Sequence, residues 1–312
     1  MVSNTRLPGV VYTVAGKYVE RTAMSWCIAA DSSCNLRSYE PCAEDTAYRL
    51  APLKINVAGR EFPDDDDLSV DELLEAMAAE KTASSSACPS VGEWAELFRS
   101  ADNVIAISIS SNLSGSYDAA CTARNIVLEE HMRENGGIIT GKNIYVLDTR
   151  AAGGKLEVIV RLVDAYIAAG HGFDEVVAYA QRVEAASQVL YSLSSYENLT
   201  KNGRMPKLVG AVATKLNIRI LGTASPEGTI KIVGPTRGEK KMYRKVMDTM
   251  EADGYRGGMV YIDHVRNPEG AETLKAAIED RWPSAEVHVI PCGGLCSYYA
   301  EESGLIIGYE WV

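Results

Sequence analysis

The sequence predicts an α/β protein of two domains. Residues 1–170 read as an N-terminal three-layer α/β/α domain with a mostly parallel sheet, and residues 171–312 as a C-terminal α+β domain with a mixed or antiparallel sheet. Three observations lead there. In the first half, short apolar strands end in polar punctuation and hand over to helices, the order that builds a parallel sheet. In the second half, short strands crowd together and include a hairpin pattern. The 312 residues, 46% of them hydrophobic, are enough to bury the cores of two ordinary domains.

Taken in order, residues 26–30 form an apolar strand that runs into Asp31-Ser32-Ser33, and residues 48–57 a second strand carrying Ala51-Pro52-Leu53. The acidic run 64–67 reads as a solvated loop, without the alternating ligands, central glycine and terminal glutamate of an EF-hand. It ends at Ser69, which caps a helix whose Val70, Leu73, Leu74 and Met77 recur at helical spacing. Residues 82–90 read as a serine-rich loop, 91–98 as a helix, 104–109 as a buried strand, 116–131 as a helix, 144–147 as a strand and 155–169 as a helix stopped by Gly170. The domain boundary falls near residues 170–173. Helices follow at 174–184, 207–216, 238–253 and 270–281, with strands at 189–193, 218–221, 229–233, 259–263 and 287–290. Pro226-Glu227-Gly228 makes a hairpin of the segment 217–233. The glycines near the C-terminus, from Cys292-Gly293-Gly294 to Gly308-Tyr309, suit close backbone approach to a ligand or another strand, or a plain terminal strand.

Composition excludes several classes. With 31 Lys and Arg against 42 Asp and Glu, the net charge is -11, which disfavours a nucleic-acid surface. No apolar run is long enough to span a membrane, and the turn residues Pro8, Gly9 and Gly16 make the N-terminus an extension rather than a signal peptide. Seven cysteines without a paired CxxC suit reduced thiols and a cytoplasmic protein. The four histidines lie at no ligand spacing to another His or Cys, so no metal is expected.

The most informative stretch runs from Ile107 to Tyr117, where a buried strand ends in Ser110, Ser111, Ser114 and Gly115 and a helix begins. Helix-start N–H groups and hydroxyls at the carboxyl end of a strand suit an anion, a carboxylate or phosphate. Simple capping by Ser114 or Ser116 is equally compatible with the pattern. The cluster 82–90, with Ser86 and Cys88, is either a second loop facing the same ligand or a surface connection in which Ser90 caps a helix. A catalytic Cys88 lacks a basic neighbour. Serine hydrolysis by Ser114 with His264 is the alternative from a different class, although Asn112 stands where a GxSxG elbow needs glycine. Arg204, after Gly203, is a better candidate for anion or partner recognition than the solvated run around Lys240 and Lys241.

Taken together these motifs resemble the DegV family of bacterial fatty-acid-binding proteins, which includes the binding subunits of fatty acid kinase. Asp31-Ser32-Ser33, Ala51-Pro52-Leu53, Asp64 with Asp67, Asp148-Thr149, Asn202-Gly203-Arg204 and Arg237 all fit its pattern, and Ser110-Ser111-Asn112-Leu113-Ser114-Gly115-Ser116-Tyr117 matches its Ser-Ser-x-Leu-Ser-Gly-Thr-Tyr signature most specifically. The resemblance implies a long-chain fatty acid buried between two domains as the ligand. It also implies a carboxylate held by Ser86 and Ser114 with Ser111 and Gly115 as neighbours, and Arg204 facing a kinase subunit that supplies the ATP chemistry. No cofactor and no catalysis by this chain are implied. Two departures stand out: Ser86-Ala87 replaces the family's Thr-Ser, and the terminal His-x-Gly-Pro-Gly motif is absent, with Tyr299 near the His position. A tyrosine donates a hydrogen bond to a carboxylate but does not replace an imidazolium at neutral pH, so binding is expected ahead of phosphorylation.

Overall fold

Strands buried on both faces carry apolar runs without alternation, and the two longest such runs in the first half lie side by side in one sheet. The computed structural model describes residues 12–14, 17–19, 24–80, 84–193, 195–205 and 218–312. A small antiparallel pair, β1 (Tyr12–Val14) and β2 (Lys17–Val19), comes first. The N-terminal half then contains β3 (Trp26–Asp31), β4 (Thr46–Ala51), β5 (Lys54–Val57), β6 (Arg60–Pro63), α1 (Val70–Ala79), β7 (Ser84–Ala87), α2 (Val91–Arg99), β8 (Asn103–Ser108), α3 (Ser116–Glu134), β9 (Asn143–Asp148) and α4 (Gly154–Ala168). Four strands form a parallel sheet in the order β4-β3-β8-β9, and three form an antiparallel sheet in the order β6-β5-β7.

Successive strand residues face opposite sides, so Cys27 and Ala29 pack under α2 and α3 with Trp94 and Phe98, while Ile28 and Ala30 face α4. Helix α4 is buried from Gly154 through Val160, Lys155 and Glu157 included. Its other side meets the second sheet.

The second half runs through α5 (Phe173–Ala185), β10 (Ser187–Leu193), α6 (Glu197–Lys201), β11 (Ile218–Ala224), β12 (Ile230–Arg237), α7 (Glu239–Asp253), β13 (Met259–His264), α8 (Pro268–Arg281), β14 (Glu286–Pro291), α9 (Gly294–Ala300) and β15 (Leu305–Glu310). Its six-stranded sheet has the order β12-β11-β10-β15-β13-β14, parallel only between β13 and β14. Helices α7 and α8 cover the face away from α4. Helix α4 sits so close to β15 that a Cβ on Gly308 would fall 1.9 Å from the Gly154 carbonyl carbon. The C-terminal glycine therefore serves helix–strand contact.

The α/β class, the parallel first sheet and the mixed second sheet agree with the sequence expectation. Four local expectations need correction. Pro52 divides the segment 48–57 into β4 and β5, which belong to different sheets. The serine loop contains strand β7, held by pairing with β5 rather than by any apolar alternation of its own. In the acidic run, Asp64 is wholly buried instead of solvated. The glycine-rich terminal segment contains helix α9 ahead of its strand. The helix expected over 207–216 lies outside the described residues. The 217–233 hairpin is formed by β11 and β12, and its turn reaches across to the other half: the Gly228 carbonyl accepts from Ser110 Oγ at 2.8 Å and the Glu227 carbonyl from Asn112 Nδ2 at 2.6 Å. Gly228, at φ +82°, leaves no room for a Cβ, which would sit 2.3 Å from Ser110 Oγ.

Candidate functional site

The serine cluster after β8 has hydroxyls with different partners. Asp31, at the carboxyl end of β3 and fully buried, accepts from Ser116 Oγ and Ser33 Oγ, each at 2.6 Å, and from the Ile109 N–H at 2.9 Å. Burial pushes its carboxyl upward and these donors oppose the shift. Ser110 is committed to Gly228, and Ser111 donates to Asp148 Oδ2 at 2.6 Å. Ser114 alone among Ser110, Ser111, Ser114 and Ser116 lines the cavity in front of the loop. Its Oγ also accepts from the Ser116 N–H at 3.3 Å, but neither Ser114 nor Ser116 is the N-cap expected from the sequence: that position is Gly115, which has no side-chain cap. Helix α3 itself starts from Gly115, which lines the same cavity.

A second wall comes from β7 and α9. Side chains on a strand alternate, so Ser84 and Ser86 point the same way, towards α9. Tyr298 Oη donates to Ser84 Oγ at 2.8 Å, and Tyr299 Oη shares a 2.7 Å hydrogen bond with Ser86 Oγ. Burial raises the Tyr299 pKa; the Ser86 hydrogen bond and the charge of Arg204 partly oppose it. Tyr299 is thus a neutral donor over the physiological range. Arg204 follows Gly203, whose φ of +73° turns the chain after α6, and its Nε donates to the Leu113 carbonyl at 3.1 Å while Nη1 donates to the Asn202 carbonyl at 2.5 Å. The guanidinium is thereby fixed beside the Ser114 loop.

These walls enclose a cavity of about 300 Å³. Its polar groups include Ser86, Ser114, Tyr299, Arg204 and Tyr191, whose buried hydroxyl has no partner, and Leu53, Ile109, Leu193, Leu295, Ile230 and Ile306 are among the apolar residues of the lining. An apolar chamber with a few convergent polar groups is the usual form of a small-molecule site. Ser86, Ser114, Gly115, Tyr299 and Arg204 are brought together; Ser111 is not, because Asp148 holds it outside the lining. Cys88 also lines the cavity, close to Gly115.

His264 lies elsewhere. It lines a broader, charged groove of about 1310 Å³ together with Arg37, Asp71 and Lys275, and its Nδ1 accepts from the Asn267 N–H at 3.3 Å. Burial lowers its pKa. Ser114 and His264 line different cavities, so the geometry does not assemble the hydrolase pair. Lys240, Lys241 and Arg244 are exposed on α7, as expected of a solvated face. Among the described residues, no group of three or more His, Cys, Asp or Glu is placed to hold a metal ion, and no helix is long and apolar enough to cross a membrane.

Sequence reasoning missed the burial of Asp64 and the body of α9. A four-residue acidic run gives no sign of which aspartate is buried, and two glycines at the start of α9 hide the helix.

Comparison with known proteins shows the family and the fold. A model of the DegV family matches residues 25–310. A DegV domain-containing protein of Streptococcus gordonii is 37% identical over 287 residues, 92% of this chain and 99% of that protein. Among solved structures, the Streptococcus pneumoniae fatty acid kinase (Fak) B3 protein loaded with linoleic acid matches with TM-score 0.87 and 37% identity, covering 92% of this chain and 99% of that one. A DegV family protein from Eubacterium eligens loaded with heptadecanoic acid matches with TM-score 0.86 and 31% identity, over 92% and 100% of the two chains.

Proposed function

The chain belongs to the DegV family, and on that premise we propose that it binds a long-chain fatty acid in the cavity between the Ser114 loop and α9. The observation that carries the reading is the Ser86–Tyr299 hydrogen bond set in a mainly apolar chamber that Ser114 and Arg204 also line. A carboxylate accepts and never donates, so it matches a place where hydroxyls converge. In this reading Tyr299 donates to Ser86, Ser86 passes its own proton towards the carboxylate, and Ser114 donates from the facing loop with the Gly115 backbone beside it. Arg204 adds positive charge. Each buried methylene contributes about 0.8 kcal/mol, so the acyl chain supplies most of the affinity and the hydroxyls set its direction.

The likeness to the pneumococcal fatty acid kinase B3 protein supports a further step. The chain acts as a non-catalytic binding subunit, presenting the carboxylate to a kinase subunit that brings the phosphoryl donor, with Arg204 near the point of access. It needs no cofactor of its own. Residues 1–170 carry the head-group loops and residues 171–312 close over the acyl chain, in a cytoplasmic protein whose buried free thiols suit a reducing compartment.

The experiment is fatty-acid binding by delipidated protein with S86A and S114A variants. Loss of affinity in folded variants supports the assignment, and unchanged affinity in both removes it.

A further inference from the structure

Asp64 is the one member of the acidic run that is wholly buried. Burying a carboxylate is costly unless its oxygens are fully paired, and here they are. Oδ1 accepts from the Gly294 N–H at 2.7 Å and from Arg37 Nη2 at 2.6 Å, and Oδ2 accepts from the Leu295 N–H at 2.9 Å. Arg37 Nη1 also donates to the Asp64 carbonyl at 2.8 Å. The fit leaves room only for glycine. A Cβ on Gly293 would fall 2.0 Å from Arg37 Nη2, and one on Gly294 would fall 2.8 Å from Asp64 Oδ1. The Gly293-Gly294 pair therefore exists to admit an ion pair from the other half of the chain.

Asp64 also links the two walls of the cavity. It directly follows β6, whose sheet carries Ser86 on β7, and its N–H donates to the carbonyl of Leu53, itself part of the lining. Its carboxylate grips the first turn of α9, and Tyr299 lies farther along the same helix. Tyr298, bonded to Ser84, holds the far end. With Asp64 removed, the start of α9 keeps the Gly293 N–H bond to Asn35 Oδ1 at 2.8 Å and the Cys296 Sγ contact with the Ser33 carbonyl, but the Gly294 and Leu295 N–H groups lose their acceptor, so the first turn can shift and carry Tyr299 away from Ser86.

We infer that Asp64, held by Arg37, is a positioning residue for head-group recognition that acts through Tyr299. The inference rests on the fatty-acid reading and adds a determinant that does not itself line the cavity. It predicts a signature that a purely structural role would not give. The full chain, delipidated, is titrated with octadecanoic acid and with octadecan-1-ol, which has the same tail and no carboxylate, for wild type, D64A, Y299F and D64A/Y299F. Y299F and D64A are each expected to weaken acid binding about tenfold. Alcohol binding should change much less, and the double variant should bind the acid no more weakly than Y299F alone.

Losses that multiply in the double variant, or equal losses for acid and alcohol, overturn the inference. If D64A does not fold, D64N keeps one acceptor for α9. It is expected to show a smaller loss confined to the acid, and an equal loss for the alcohol overturns the inference. Wild type that binds neither ligand overturns the fatty-acid reading and this assignment together; wild type that binds, with multiplying losses, overturns this assignment alone.

Discussion

Ser86 and Tyr299 lie 213 positions apart in the chain, yet their hydroxyl oxygens are 2.7 Å apart at the edge of an apolar cavity. Strand β7 presents one from the N-terminal half and helix α9 presents the other from the C-terminal half. The contact ties the two halves at the place where a carboxylate is proposed to bind. Neither hydroxyl is charged, so in the proposed reading Tyr299 donates to Ser86, Ser86 donates to the ligand, and Arg204 brings the charge.

The first prediction concerns the facing loop. S114A is expected to weaken fatty-acid binding about tenfold, the usual cost of losing a hydrogen bond to a charged group. Because Ser114 Oγ also accepts from the Ser116 N–H at 3.3 Å, a stability loss of about 0.5–1 kcal/mol is expected alongside. S111A should weaken binding less, since Ser111 donates to Asp148 and does not line the cavity. Calorimetric titration of the two variants compares them directly.

The difference between Ser111 and Ser114 marks how far the sequence could be read. The apolar runs of β3 and β8 declare buried parallel strands, and the hydroxyl-rich strand-to-helix junction suits either an anion site or simple capping. Which serine faces the ligand depends on partners far along the chain, Asp148 and Gly228, and no local spacing encodes that. The residues of β7 show no apolar alternation because pairing with β5 makes the strand. Asp64 hides in a charge run whose other members are exposed, and its burial depends on Arg37 and on two glycines some 230 residues away. Tyr299 was legible only by comparison with a motif that the chain does not keep.

Gly228 offers a test of how the halves are joined. Its φ of +82° and its contact with Ser110 leave no room for alanine. G228A is expected to cost about 1–3 kcal/mol in stability and to lower fatty-acid affinity by displacing the Ser110–Ser114 loop. Urea unfolding and ligand titration of the same variant check both effects.

A pH dependence follows from the contact between α4 and β13. The Asn35 backbone N–H donates to Glu157 and its side chain donates to Asp263 Oδ2 at 2.8 Å, while Glu157 Oε2 and Asp263 Oδ1 are buried without a partner. Burial pushes the Glu157 carboxyl up to about 7; Asp263 is also raised, by burial and then by Glu157. Asn35 and the charge of Arg37 partly oppose the Glu157 shift, while the Cys34, Cys292 and Cys296 thiols nearby are themselves raised by burial. With the folded value above the unfolded one, the protonated carboxyl stabilises the fold below the ordinary glutamate range, and that contribution is lost as pH rises through about 7. Urea midpoints should therefore fall between about pH 5 and 8. E157Q should make the fall shallower; an unchanged slope would contradict the assignment.

Tyr299 gives the complementary limit at alkaline pH. Because burial raises its pKa, the phenol keeps its proton through the ordinary tyrosine range, and its stabilising contribution is lost only above that. Fatty-acid affinity that is flat from about pH 7 to 9 is expected, because no hydroxyl of the site titrates there.

The most direct test of the central claim is mass spectrometry of the purified 312-residue chain, first under native conditions and then after organic extraction. The account predicts one long-chain fatty acid per chain, retained by wild type and diminished in Y299F. A chain that carries no acyl ligand, and takes up none when long-chain fatty acids are added, would contradict it.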